Sequence, residues 1–186
     1  MSVLDIRVLG DPILREETSP VEQITDALRM LAKDMFDTMY LAKGIGLAAP
    51  QVGRSERLAV IDVNDKAFVI INPEIIELDS KTAKAEEGCL SIPDVYGDVG
   101  RPVRVRVRAL DLEGKPFEIE ADELLARCLQ HEIDHLHGKL FIDYLSVLKR
   151  RAALAKWTKE KDKYPSFVRK LETEPARTHE HPDEEL

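Results

Sequence analysis

Two cysteines in 186 residues are too few for a disulfide framework, and so sparse a thiol content fits a reducing cytosol. No stretch approaches the roughly 20 apolar residues that cross a bilayer, so no membrane partner is expected. Met1 to Pro12 shows no basic start followed by an apolar run, and neither a secretory signal nor a transit peptide is expected there. Positive charge is also short, with 27 Lys and Arg against 35 Asp and Glu and a net charge of −8. That balance argues against DNA binding and leaves at most a local basic patch. No internal repeat is visible. What remains is an ordinary globular composition, 44 % apolar and 33 % charged, of a length that suits one domain. We place that domain at residues 1–165. An acidic tail follows at 166–186, where Pro175 and Pro182 interrupt a stretch that buries nothing obvious and is expected to be disordered. His179 and His181 read as solvated parts of that tail.

The richest stretch is His131-Glu132-Ile133-Asp134-His135, an HExxH pattern within the run Leu124 to Gly138. Residues four apart on a helix point nearly the same way, about 6 Å apart along the axis, so His131 and His135 can grip one metal ion. Glu132 then lies beside the ion, placed to move protons to and from a water. At roughly 100° per residue, Leu124, Cys128, His131 and His135 share one narrow face. Ala126, Arg127, Gln130, Asp134 and His137 form a more polar back. Two imidazoles and a carboxylate on a buried face need partners, and one cation satisfies all three.

Catalytic sites of this kind take three protein ligands and keep a position open. Cys128 lies about 10.5 Å along the axis from His135, too far to share its ion easily. Cys89, in Glu86-Glu87-Gly88-Cys89-Leu90-Ser91, arrives from a separate segment and completes a Cys-His-His set.

Elsewhere the chain alternates helix and strand signals. Apolar residues from Ile24 to Leu41 recur at helical spacing. The small-residue run Gly44-Ile45-Gly46-Leu47-Ala48-Ala49-Pro50-Gln51 lacks the lysine of a phosphate loop and the dinucleotide spacing. It reads as a loop whose Gln51 amide could donate to an oxygen. Strand signals follow at Leu58–Val63, Phe68–Ile71 and Ile75–Leu78. Arg104, Arg106 and Arg108 then alternate with Val103, Val105 and Val107, and Glu118, Glu120 and Asp122 alternate with Phe117, Ile119 and Ala121. A hairpin turning at Glu113-Gly114-Lys115 pairs these arginines with these acids. Leu140–Ile142 reads as a short strand. Ser146 opens a last helix, to about Lys163, with Lys149, Arg150 and Arg151 near its start.

Three separated blocks, Gly44 to Gln51, Glu87 to Ser91 and Gln130 to His135, together resemble the signature motifs of the peptide deformylases, and the likeness runs over about residues 1–160. It implies an α+β fold: antiparallel sheets wrapped around the central metal-binding helix, with one N-terminal and one C-terminal helix. It implies a cytoplasmic hydrolase that removes the formyl group from N-formylmethionine on new polypeptides, with Fe(II) as the natural metal and Zn(II), Ni(II) or Co(II) as substitutes. By the same likeness Cys89, His131 and His135 are ligands, Glu132 is the general acid and base, and the Gln51 amide and Leu90 N–H stabilise the reacting oxygen. Leu124 and Cys128 would wall the methionine pocket. Gly44, Ile45 and Gly46 would form a rim that pairs with the peptide, and Glu87 and Gly88 would line the other side. The last helix could dock transiently on the ribosome, as in bacterial members. Tyr96 stands where many relatives carry an arginine at the mouth, and Arg127 where some are apolar. Asp134, on the helix back, is placed to pair with Arg101.

Two other readings remain open. A zincin-type endopeptidase also uses HExxH, though its third ligand lies downstream. An inactive ribosome-associated module could keep the metal as a structural element, but would need neither Glu132 nor Gln51.

Overall fold

In a computed structural model, which describes residues 2–173, nine strands and three α-helices alternate in an α+β arrangement whose strand pairs are all antiparallel. The first helix, α1 (Asp26–Leu41), starts at Thr25, whose hydroxyl accepts from the Leu28 amide at 3.2 Å. A five-stranded sheet has the order β2 (Gly46–Ala48), β3 (Leu58–Val63), β4 (Lys66–Leu78), β7 (Arg104–Leu110), β8 (Pro116–Asp122). Leu58 and Val60 of β3 bury against Leu28, Leu31, Met35 and Met39 of α1. Ala59, Ile61 and Val63, on the other face, bury against Leu129, Ile133 and Leu136 of α2 (Glu123–Leu136). The sheet is thus covered on both faces, which is why Leu58–Val63 is almost continuously apolar.

A second sheet consists of β5 (Thr82–Cys89) and β6 (Ile92–Pro102). Its Ile92, Val95 and Val99 pack with Phe141, Ala153 and Trp157, the last two from α3 (Val147–Glu160). The third sheet pairs β1 (Ile6–Arg7) with β9 (Val168–Arg169).

Three expectations need correction. Phe68–Ile71 and Ile75–Leu78 belong to one strand, not two. Asn72, with φ 49°, bulges out and its side chain bonds the Val21 amide and carbonyl, each at 2.8 Å, so Pro73 falls where the ladder pairing slips. Leu140–Ile142 is no strand: the Asp143 carboxylate accepts from the Leu140 amide at 3.0 Å and winds Phe141–Tyr144 into a 3₁₀ turn. The ordered chain also runs past residue 165, because β9 joins β1. From Glu174 onward the acidic tail, with His179 and His181, lies outside the described residues. The β5–β6 hairpin covers most of the polar back of α2, leaving His137 exposed, and Gln130 there is buried, donating to Pro102 O at 3.1 Å.

The basic stripe pairs as expected, with Arg104, Arg106 and Arg108 opposite Asp122, Glu120 and Glu118. Gly114 turns the hairpin at φ 77°. Arg108 reaches Glu118 at 3.2 Å, whereas Arg106 turns to Glu77 on β4 at 2.8 Å.

Candidate active site

The α2 helix projects its two histidines toward the tip of the β5–β6 hairpin. Nε2 of His135 lies 3.2 Å from Nε2 of His131 and 3.3 Å from Sγ of Cys89. All three donor atoms lie within 4.8 Å of one another, and this is the metal-competent group found among the described residues. Two nitrogens on one tetrahedral ion stand about 3.4 Å apart, given bonds of roughly 2.1 Å, so the spacing fits a shared cation. Cys128 is outside the group. It is buried with Sγ 3.7 Å from Ile45 O, and burial together with the charges of Glu132 and Glu87 raises its thiol well above the ordinary range.

Burial opposes charge on His131, yet its hydrogen bonds to Cys89 and Glu87 outweigh burial and raise its pKa. His135 moves the other way, lowered by burial and by the charge of His131. A thiolate with two imidazoles accepts Fe(II), Zn(II), Ni(II) or Co(II).

Glu132 is 4 % exposed, and its Oε2 has no hydrogen-bond partner. Burial pushes its carboxyl up to about 7. The other oxygen lies against Gly46, where an added Cβ would collide with Oε1, so only glycine leaves the carboxylate its place. Gln51, held in the turn Ala49–Val52, accepts from the Ala48 amide at 2.9 Å through its carbonyl oxygen, which fixes the side chain. Its Nε2 donates to Ser91 Oγ at 3.2 Å and lies 3.6 Å from Cys89 Sγ.

These groups open on a cavity of about 500 Å³, lined by Gly44, Ile45, Gly46, Gln51, Gly88, Leu90, Leu124, Cys128, His131 and Glu132 among others. Leu124 is 49 % exposed, so it forms the lip of the cavity and not a buried wall. Tyr96 is an exposed part of the mouth and lies against Gly88. Glu87 also borders the cavity, but its carboxylate is committed elsewhere. It accepts from Nδ1 of His131 at 2.9 Å, from Arg101 at 2.6 and 2.9 Å, and from Arg127 at 2.7 Å. Arg101 completes the expected pair with Asp134 at 2.9 Å, and the Tyr144 hydroxyl donates to the same carboxylate at 2.8 Å.

The part played by Arg127 is not evident from sequence. Besides Glu87 it bonds Val99 O at 2.8 Å and Ala83 O at 2.9 Å, tying α2 to both strands of the hairpin. Its only signal was a charge amid the buried residues of α2.

Comparison with known proteins agrees with this geometry. Residues 3–151 match the family described as polypeptide deformylase. The chain belongs to that family. A peptide deformylase of Acinetobacter baumannii is 51 % identical over 177 residues, covering 94 % of this chain and 97 % of its own. Among solved structures, a peptide deformylase from Legionella pneumophila superposes with a TM-score of 0.83 at 51 % identity, over 87 % of this chain and 96 % of that one. One from Synechococcus elongatus, solved in complex with actinonin, gives 0.80 at 47 % identity over 82 % and 86 %. The endopeptidase and silent-module readings find no support, and among the described residues no carboxylate or histidine downstream of His135 joins the group.

Proposed function

We propose that this chain is a metal-dependent amide hydrolase that removes the formyl group from the N-terminal N-formylmethionine of new polypeptides and releases formate. The observation that carries the reading is Glu132, a buried carboxyl with a free oxygen beside the Cys-His-His group. A purely structural metal would not need it.

Sγ of Cys89 and Nε2 of His131 and His135 would hold the ion, Fe(II) in the cell. When bound, it supplies Lewis acidity that lowers the pKa of water and polarises the formyl oxygen. Glu132 takes the proton of the attacking water as oxygen adds to the formyl carbon. Negative charge gathers on the formyl oxygen, to which Gln51 Nε2 and the Leu90 N–H donate. The contact of Gln51 with Cys89 is its weaker one, at 3.6 Å, and is the one available for exchange. Each such donor typically lowers the barrier by ~3 kcal/mol. Glu132 then returns the proton to the amine nitrogen as the C–N bond breaks, giving formate and a free N-terminus.

Recognition follows from the fold. β2 is an edge strand, so the backbone groups of Gly44–Gly46 that do not bond β3 or α1 could pair with an extended peptide, while Leu124 and Cys128 offer apolar contact to the methionine side chain. On α3, Val147 and Leu148 are exposed next to Lys149, Arg150 and Arg151, a surface suited to transient contact with the ribosome in the cytoplasm.

The test is formate release from formyl-Met-Ala-Ser by protein purified anaerobically with Fe(II), beside a metal-loaded Glu132→Ala variant. Rapid release by the parent and near-silence in the variant are expected. A parent that binds metal but frees no formate overturns the proposal.

A further inference from the structure

The chain continues beyond residue 151, where the family match ends, and its last described segment returns to the cavity, placing Tyr164 and Arg169 in the lining. The reversal is made without glycine. Ser166 and Phe167 take left-handed φ values of 56° and 59°, a conformation that non-glycine residues keep only where their surroundings hold it. Here Phe167 O accepts from the Val8 amide at 2.9 Å, and the Phe167 ring fills the space over Gly10 that a Cβ would need.

This turn delivers Arg169. Its Nη1 donates to the carbonyl oxygen of Leu90 at 3.1 Å. The neighbouring residue of the same loop is held from the N-terminal side, where the Leu9 amide donates to Ser91 O at 2.8 Å. Leu9 in turn has its carbonyl held by Nε1 of Trp157 at 3.1 Å. Trp157 is buried in α3 and stacks on Tyr164, with ring centroids 5.8 Å apart. Thus the loop Cys89-Leu90-Ser91 is held by Gln51 from inside and by two contacts that depend on residues after 151.

We infer that the C-terminal segment braces the loop carrying Cys89 and the Leu90 N–H, and that Arg169 is the positioning residue of that brace. By fixing the Leu90 carbonyl it restrains the backbone on both sides, so that Cys89 Sγ stays turned to the histidines and the Leu90 amide to the cavity. A charged guanidinium with several rigidly placed donors suits a single exposed-edge carbonyl better than a neutral donor. The catalytic arm of the inference rests on the deformylase reading above, while the structural arm does not.

The experiment compares the full chain with Arg169→Ala and Arg169→Lys variants. In the metal-free proteins, iodoacetamide labelling of Cys89 is followed by peptide mass spectrometry, with buried Cys128 as internal reference. Arg169→Ala is expected to label roughly 10-fold faster at Cys89 and unchanged at Cys128, with Arg169→Lys close to the parent. Loaded with Fe(II), Arg169→Ala should lose roughly 10-fold in kcat on formyl-Met-Ala-Ser with KM within about twofold, again rescued by lysine. An unchanged Cys89 rate overturns the brace. If KM alone rises, Arg169 contacts substrate and the brace is also overturned. Equal acceleration at Cys128 overturns it in favour of general loosening. A parent that frees no formate defeats the deformylase reading, and the labelling rates still decide the brace.

Discussion

Nδ1 of His131 donates to Oε1 of Glu87 across 2.9 Å, which leaves Nε2 of the same ring facing Cys89 and His135. The contact selects the tautomer that an ion requires. Glu87 can hold this position inside the protein because Arg101, 3 % exposed, and Arg127 both donate to it, while Asp134 balances the second positive charge of the cluster.

Glu87→Gln keeps the size of the side chain but removes the charge that two arginines surround. Metal affinity should fall by about 10- to 100-fold, as is usual when the partner of a ligand is altered. Competition with a chelator measures it, and unchanged affinity would mean that His131 is oriented by packing alone.

Acid stability should carry the signature of the same carboxylate. Burial alone would raise Glu87, but hydrogen bonds from His131 and Arg101 outweigh it and hold the carboxyl at about 2, against 4.5 ordinarily. A value depressed on folding stabilises the protein above pH 4.5, and that contribution drains away as pH falls toward 2. In metal-free protein, the stability difference between parent and Glu87→Gln should shrink as pH falls from about 5 toward 2. A difference that grew on acidification would contradict the assignment.

Gly46→Ala places a methyl carbon 2.5 Å from Oε1 of Glu132, closer than the two atoms can approach. Either the carboxylate or the β2 backbone must move. A displacement near 1 Å at a reacting group costs about 100-fold, so kcat should fall by that order while metal stoichiometry stays at the parental level. Steady-state kinetics beside metal analysis separates this from loss of the ion.

The two cysteines should behave oppositely. Cys89→Ala removes one of three clustered donors and should abolish stable metal binding, whereas Cys128→Ala should retain the ion and lose only packing. Metal analysis after gel filtration distinguishes them, and metal loss from Cys128→Ala would reassign the third ligand.

Legibility differed by the range of the interaction. The β3 strand and the β7–β8 hairpin were readable because their signals are local: an apolar run from Leu58 to Val63, and alternation of Arg104, Arg106 and Arg108 with valines. The β5–β6 hairpin was missed. Residues 82–86 of β5 are exposed, and the only apolar residues alternating there are the small Ala83 and Ala85, although Val95, Val99 and the buried Arg101 do recur at even spacing on β6. Arg101 read as polar, so the stripe was not seen as a buried face. The start of the tail is not legible in the sequence, because the pairing of Val168–Arg169 with Ile6–Arg7 joins segments far apart in the chain.

Within α2 the sequence by itself determined which residues share a face, since 3.6 residues per turn puts His131, Glu132 and His135 together in any straight helix. It also disfavours Cys128 as the third ligand, because the helical rise makes it hard to share an ion held by His135. What surrounds that helix was decided only by tertiary structure. The commitment of Glu87 to His131, the hold of Arg127 on Val99 and on Ala83, and the reach of Arg169 to Leu90 join residues 44, 28, 44 and 79 positions apart. Such contacts depend on how sheets and helices pack, and no periodicity within one segment encodes them.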